Sequence, residues 1–421
     1  MDGGFNKQLP NDSWDLIFKK LDSNVDRNSF GLTCHSFLDI QSSSYKSLRL
    51  GCSNESNCST HVSIHDSVLN ENLFNRFTQL ESLSLGTCLH IKDSGLTPFV
   101  KHGSKLLSLN LDFCYHVTDI GLTLVACSCP LLSVISLAKC SITDSGLEIL
   151  TKLCKSLKEV NLAWCTNITD SGILSLNKNS RQLRSLNITC CSKIVGLTFQ
   201  GFSPTLACLE AANCVLGSTG ITEILSGGGL EHLNLSYLNF SKFNSSHKLA
   251  AFIGIGSAAN LRFLNLVLCP FVEDSVIIAI SKGCPLLQEW NLSCCGKIGI
   301  SGWEAIGSYC QNLDILHVSY CFELCDRGLL ALGNGCKCLS VIYLKSCLKV
   351  TTSGLHRFRV HRKDVEIKEE VWLTGISPNE EFISDDVDIA SDGAEFESDD
   401  AEFISDGEEF VSDDEPEFEP F

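Results

Sequence analysis

The sequence predicts an α/β solenoid, with short parallel strands lining an inner face and helices on the outside. Three observations carry this prediction. First, the pattern L-x-x-L-x-L-x-x-C, with conservative swaps, starts at Leu80, Leu106, Leu132, Leu157, Leu183, Leu206, Leu230, Leu261, Leu287, Leu313 and Leu339. The steps between these eleven units are 26, 26, 25, 26, 23, 24, 31, 26, 26 and 26 residues. Second, L-x-L alternates with period two, as a short strand buried on one face does. Third, a turn and T-D-S-G-L or a relative follow, as at Thr118 to Leu122, Thr143 to Leu147 and Thr169 to Ile173. The aspartate suits a helix N-cap, where a carboxylate accepts backbone N–H groups. Apolar helical stretches such as GLEILTKL from Gly146 come next. One strand and one helix cannot bury their own apolar faces, whereas stacked copies can.

Taken in order along the chain, residues 1–8 form a leader and residues 9–50 a small helical module. Asp12 or Ser13 can cap a helix that carries Trp14, Ile17, Phe18 and Leu21 on one side. A second apolar set, Phe30, Leu32, Cys34 and Phe37, follows Asp26 and Arg27. About forty residues cannot hold a large core of their own. The pattern alone fits either docking to a partner or an N-terminal cap on the solenoid. Residues 51–79 read as a linker and the solenoid's N-terminal edge, and the eleven units occupy 80–355. The long unit carries an insertion after Leu235, and insertions map to loops. Residues 356–378 read as a C-terminal cap, since Val365 and Ile367 fall near the next expected strand. The basic residues Arg357, Arg359, Arg362, Lys363 and Lys368 in that cap read as a solvated face.

The net charge of −18 is concentrated in residues 379–421, which hold 19 Asp and Glu and no Lys or Arg. The remaining 32 basic and 31 acidic residues nearly cancel. A neutral body offers no basic face for nucleic acid. The acidic tail is expected to be disordered. It repeats E-F-x-S-D-[DG] at Glu381, Glu395, Glu402 and Glu409, and Ser405 and Ser412 look like sites for an acidophilic kinase. No apolar signal segment and no membrane-spanning run is visible, so the chain reads as a nuclear or cytoplasmic protein with reduced cysteines.

Cysteine is abundant, with 24 in 421 residues, and fifteen of these sit at repeat positions. Position nine of the units is Cys88, Cys114, Cys140, Cys165, Cys191, Cys214, Leu238, Cys269, Cys295, Cys321 and Cys347. Five more, Cys129, Cys154, Cys284, Cys310 and Cys336, stand three places before a unit's first leucine. Cys88 with His90 and Cys114 with His116 look like half-built metal sites. The residue two places after the ladder cysteine varies freely along the chain, however, so the reading favours packing, with a thiol donating weakly to loop backbone. It expects no metal and no cofactor.

Positions three, five and seven of each unit should face the concave side. Position five is rich in Asn and includes Asn110, His317 and Tyr343. Position eight carries Phe113, Trp164, Tyr237 and Tyr320, expected as exposed aromatic anchors. Asn110, Asp112, Phe113, Trp164, Tyr237, His317, Tyr320 and Tyr343 are therefore the candidate contacts for a protein substrate. Eleven rungs give about 50 Å of inner edge, which suits a protein surface. No catalytic constellation emerges: His232 and His317 lie on different rungs with no nucleophile at a persuasive spacing.

Two resemblances sharpen this. The repeat spacing and the C-x-x-[IV]-T-D-x-G-L segment are similar to cysteine-containing leucine-rich repeats over residues 80–355. The segment L-P-x-D-x-W-x-x-I-F-x-x-L, then D-R-x-S-F-x-L-x-C-x-x-F, closely resembles an F-box, with Phe37 where many members have Trp. The combination resembles the F-box/LRR family, and D-R-x-S-F is similar to its plant members. The resemblance implies a right-handed horseshoe preceded by three F-box helices. It implies docking on a Skp-type adaptor, and through it on cullin and a RING subunit, by Leu9, Pro10, Trp14, Ile17, Phe18, Leu21, Phe30, Leu32, Cys34 and Phe37. It further implies a non-catalytic specificity subunit of a ubiquitin ligase. The alternative is a repeat scaffold that drives no degradation. Some plant relatives bind hormones and an inositol phosphate, but the concave positions here offer little basic charge beyond Lys139 and Lys345.

Overall fold

A computed structural model describes residues 11–21, 23–50, 64–202, 204–238 and 245–369. Thirteen short strands form one sheet in strict sequence order, every neighbouring pair parallel. They are β1 Ser47–Arg49, β2 Ser82–Ser84, β3 Ser108–Asn110, β4 Val134–Ser136, β5 Glu159–Asn161, β6 Ser185–Asn187, β7 Cys208–Glu210, β8 His232–Asn234, β9 Phe263–Asn265, β10 Glu289–Asn291, β11 Ile315–His317, β12 Val341–Tyr343 and β13 Glu366–Lys368. Strands β2 to β12 belong to the eleven units. β1 adds a rung before them, and β13 adds one after, near Val365 and Ile367.

Each unit buries positions one, four and six, as Leu80, Leu83 and Leu85 do in the first. The helices cover the other side of this core. In Asp144–Leu153 the buried residues are Gly146, Leu147, Leu150 and Thr151, one stripe at helical spacing. Cross-rung packing makes the core continuous, from Leu69 through Trp290 and Trp303 to Val365.

The helix starts depart from the expectation in an informative way. The N-cap is the threonine, not the aspartate: the hydroxyl oxygens of Thr118, Thr143 and Thr169 accept from Ile120, Ser145 and Ser171 N–H. The aspartate, one residue later, reaches the following unit instead. Asp119 accepts from Thr143 N–H at 2.8 Å and Thr143 Oγ1 at 2.5 Å, and Asp144 does the same for Thr169. A Cβ on Gly146 would stand 2.3 Å from Asp119 Oδ1. The T-D-x-G-L motif therefore stitches one unit to the next, and its glycine makes room for the neighbour's carboxylate.

Two units are irregular. The long unit keeps a helix of the usual ten residues, Ser245–Gly254, which buries Ala251 and Phe252, and a 3-10 turn, Ile255–Ser257, follows it. Residues 239–244 lie outside the described residues. Between β6 and β7, the short unit has no α-helix among its described residues, and the rings of Phe199 and Phe202, 5.2 Å apart, fill its place in the core.

Helices α1 Asn11–Lys19, α2 Asn24–Thr33 and α3 His35–Ser44 precede the sheet. Only Tyr45 and Lys46 separate α3 from β1. Arg76 Nε donates to Ser42 Oγ at 2.8 Å, and the Tyr45 and Phe77 rings lie 6.3 Å apart. Residues 370–421 lie outside the described residues, Ser405 and Ser412 included.

Candidate functional site

The three N-terminal helices sort their apolar residues into two groups. Trp14, Phe18, Phe30 and Phe37 pack on one another: Phe30 stacks on Phe37 at 4.3 Å, Trp14 meets Phe37 at 4.6 Å, and Phe18 meets Phe30 at 5.3 Å. Arg27 closes this cluster, its Nε donating to Leu21 O at 2.7 Å and its guanidinium lying over the Phe18 ring. Ser44 Oγ donates to Asp15 Oδ1 at 2.8 Å and ties α3 to α1. The second group faces outward: Leu32 is 85% exposed and Leu16 65%, with Ile17 and Cys34 also exposed. Leu16 falls outside the apolar stripe of Trp14, Ile17, Phe18 and Leu21, so the sequence pattern does not mark it. Leu9 and Pro10 lie outside the described residues.

The concave face is more occupied by its own hydrogen bonds than the sequence suggests. The position-five asparagines turn back to cap the strand end: Asn161 Oδ1 accepts from Ala163 N–H, Asn187 from Thr189, Asn234 from Ser236 and Asn291 from Ser293. Where Ser136 replaces Asn, Asp112 of the preceding unit takes over. It accepts from Ala138 N–H at 2.8 Å and Ser136 Oγ at 2.6 Å, while Asn110 Nδ2 donates to its other oxygen at 3.1 Å.

Every position-eight residue, from Thr87 to Ser346, has a positive φ of 52–67°. In eight of the units it is the third residue of a tight turn that position nine closes, as Cys114 N–H does to Leu111 O at 3.0 Å. The bend half-buries the aromatics expected as exposed anchors. Phe113 and Trp164 flank the Lys139 ammonium, at 5.3 and 4.7 Å from the ring centres, and Tyr237 and Tyr320 are half-buried on their own rungs. His317 and Tyr343 are not surface contacts: they are 3% and 8% exposed and stack at 4.2 Å, with His317 Nε2 3.1 Å from Glu289 Oε1. Larger position-three side chains there, Phe263, Glu289, Ile315 and Val341 against Ser82 and Ser108, fill the inner face. Of the substrate candidates, Asn110, Asp112 and Phe113 come together, lining one concavity with Arg49, Ser84, Gly86 and Thr87 beside β1.

The ladder cysteines point into the solenoid. Each thiol donates to the position-six carbonyl of the preceding rung: Cys114 to Leu85 at 3.3 Å, Cys140 to Leu111 at 3.1 Å, Cys165 to Leu137 at 3.0 Å, and so on to Cys347. Burial pushes the thiols up, to about 12 for Cys114 and Cys165. His90 and His116 are exposed while Cys88 and Cys114 are buried, so the two Cys-x-His pairs do not converge. One other group does. Cys208, Glu210 and His232 place one possible ligand atom each within 4.8 Å of one another on the concave face.

A leucine-rich-repeat family model matches residues 153–176 and 283–307. F-box/LRR-repeat protein 12 of Arabidopsis thaliana is 47% identical over 287 residues, 67% of this chain and 72% of that protein. The chain belongs to the F-box/LRR-repeat family. Solved structures with a similar fold include the yeast Rad7 and Elc1 complex, with TM-score 0.48, 18% identity and coverage of 85% of this chain and 92% of that one. A Listeria monocytogenes internalin gives TM-score 0.46 at 14% identity, covering 85% and 97%.

In this F-box/LRR protein the ten adaptor-binding candidates therefore divide. Phe18 is buried among the half-buried rings of Trp14, Phe30 and Phe37, Leu21 is half-buried, and Ile17, Leu32 and Cys34 are free to meet another surface. Among the described residues no helix is long and apolar enough to cross a membrane.

Proposed function

We propose that this chain is the substrate-recognition subunit of a Skp–cullin–F-box ubiquitin ligase, with α1–α3 docking a Skp-type adaptor and the leucine-rich repeats holding a protein substrate. The observation that carries the reading is the outward apolar set on α1 and α2, Leu16, Ile17 and Leu32, standing apart from the aromatic rings that pack around Phe18. A small module that leaves large apolar side chains uncovered is suited to a partner surface. The substrate face we favour is the concavity of Arg49, Ser84, Asn110, Asp112 and Phe113, with the Phe113–Lys139–Trp164 stack beside it. It combines a cation, a carboxylate and aromatic rings, the groups that anchor protein interfaces. This chain then supplies proximity, and the bond-forming chemistry belongs to its partners.

Co-expression with a Skp-type adaptor tests the first half. Wild type should co-purify. Ile17→Ala/Leu32→Ala should lose binding by at least about 30-fold, as buried anchors do, with the helical circular dichroism unchanged. Leu9→Ala/Pro10→Ala should weaken it as well. Failure of the wild type to bind sinks the ligase reading. A chain that binds adaptor yet supports no ubiquitin transfer with cullin and RING subunits is the non-degradative scaffold instead. We also propose that Ser405 and Ser412 are phosphorylated and modulate substrate access. Deleting residues 379–421 without changing substrate turnover or the protein's stability would remove that idea.

A further inference from the structure

The three side chains gathered at β7 and β8 deserve a role of their own, because their chemistry is unlike that of any other rung. Glu210 stands at position five, where six of the eleven units carry Asn. Cys208 lies outside both cysteine ladders. It shares a face of β7 with Glu210, two residues on, and is in register with His232 of β8. We propose that Cys208, Glu210 and His232 form a zinc-binding site on the inner face of the solenoid, with the fourth coordination position open to solvent.

The donor set is one thiolate, one imidazole and one carboxylate, which suits zinc better than the hard cations that take oxygen alone. His232 Nε2 and Glu210 Oε1 lie 2.5 Å apart. Ligands on a tetrahedral zinc stand about 3.3 Å apart, so the two groups need retreat by less than about 1 Å. Both are reachable, with side chains 31% and 28% exposed. The surroundings already hold them in place. Asn234 Nδ2 donates to the other oxygen of Glu210 at 2.7 Å, and the imidazole lies flat on the Phe263 ring at 4.0 Å. Partners of this kind fix ligand orientation in metal sites. Ligands on two adjacent strands of a continuous sheet are held more firmly than ligands on loops. Cys208 differs from the ladder thiols, which are committed to carbonyls within the core. On binding, its Sγ–H proton passes to solvent as the sulfur–zinc bond forms, with no change of oxidation state. Three protein ligands leave one position for water or for a donor from a molecule seated on the concave face.

Cobalt(II) titration of the full-length, reduced, metal-stripped chain tests this directly. One equivalent should bind with a thiolate-to-cobalt charge-transfer band and the visible bands of tetrahedral cobalt, and zinc should displace it. Cys208→Ser should abolish the charge-transfer band. His232→Ala, which leaves every thiol in place, should weaken cobalt binding at least about 100-fold, and Asn234→Ala about 10- to 100-fold. The band should survive the combined replacement of the cysteines that are exposed among the described residues, Cys34→Ser/Cys127→Ser/Cys338→Ser, together with Cys52→Ser/Cys58→Ser. Absence of a thiolate band in the wild type overturns the proposal. So does a band that persists in Cys208→Ser or disappears in the combined variant. Because the readout is metal binding alone, it is independent of whether the chain serves a ubiquitin ligase.

Discussion

Asp119 shows how one side chain does the work of a joint. Its carboxylate takes the N–H and hydroxyl of Thr143 in the next unit, and Gly146 leaves it the space. Asp119→Ala leaves a part-buried donor unpaired and should cost about 1–3 kcal/mol in urea unfolding. Gly146→Ala should destabilise too, by driving a methyl into that carboxylate. The two losses should sum to more than the double variant shows, since removing the carboxylate also removes the clash. The ladder thiols give a second residue-level prediction. Cys165 is held at about 12, against an ordinary 9.0, by burial. A raised acid is neutral when folded, so its contribution is intact below pH 9 and is lost as pH climbs from 9 towards 12. The loss approaches about 1.4 kcal/mol per pH unit in that window. Stability should fall above pH 9, and the fall should be shallower in Cys165→Ala. Both motifs were visible as text, because six of the eleven units carry the aspartate and ten carry the cysteine. The left-handed position eight was not: Phe113, Trp164 and Tyr320 there are residues that rarely adopt it, and only the stacked rung imposes it. That bend is why the aromatics expected on the open surface are half-buried.

Elements at the two ends of the sheet are fastened by different means. At the C-terminal end, Arg362 is 8% exposed and donates to the carbonyls of Gly333, Cys336 and Leu339 at 2.8–3.0 Å, and it pairs with Asp364. Sequence reading placed this arginine on a solvated basic face, because a lone arginine carries no sign of the carbonyls that will surround it. Arg362→Met should take a donor from each of three buried carbonyls and cost about 2–4 kcal/mol. Hydrogen exchange should then quicken in β13 and β12 while β3 to β6 stay protected, since a solenoid couples only neighbouring rungs. Equal loosening along the whole sheet would contradict this. At the N-terminal end the fastening is covalent and short, with α3 running into β1 through two residues. The existence of three helices was legible from the apolar spacing. Which apolar residues face inward was not, because Phe30 and Leu32 are equally hydrophobic in text and differ only in how α2 meets α3.

Across the whole described chain, the sheet is one uninterrupted ladder from β1 to β13, and the three N-terminal helices are fixed to its first rung by Arg76 with Ser42 and by Tyr45 with Phe77. The concavity of Arg49, Asn110, Asp112 and Phe113 lies at that same end. On the proposed function, adaptor and substrate are thus held in one rigid frame with little chain between them. Rigid positioning raises the effective concentration of a substrate lysine near the transferring enzyme, and slack lowers it. Inserting a flexible ten-residue Gly-Ser segment between Tyr45 and Lys46 separates binding from geometry. Adaptor affinity should stay within about twofold, because α1–α3 keep their own aromatic packing, and thermal unfolding of the repeats should be nearly unchanged. Ubiquitin transfer to a bound substrate should slow, or spread over more lysines, in a reconstituted assay. A transfer rate and lysine pattern identical to wild type would mean that the short α3–β1 junction serves stability alone, and that orientation is set elsewhere in the assembly.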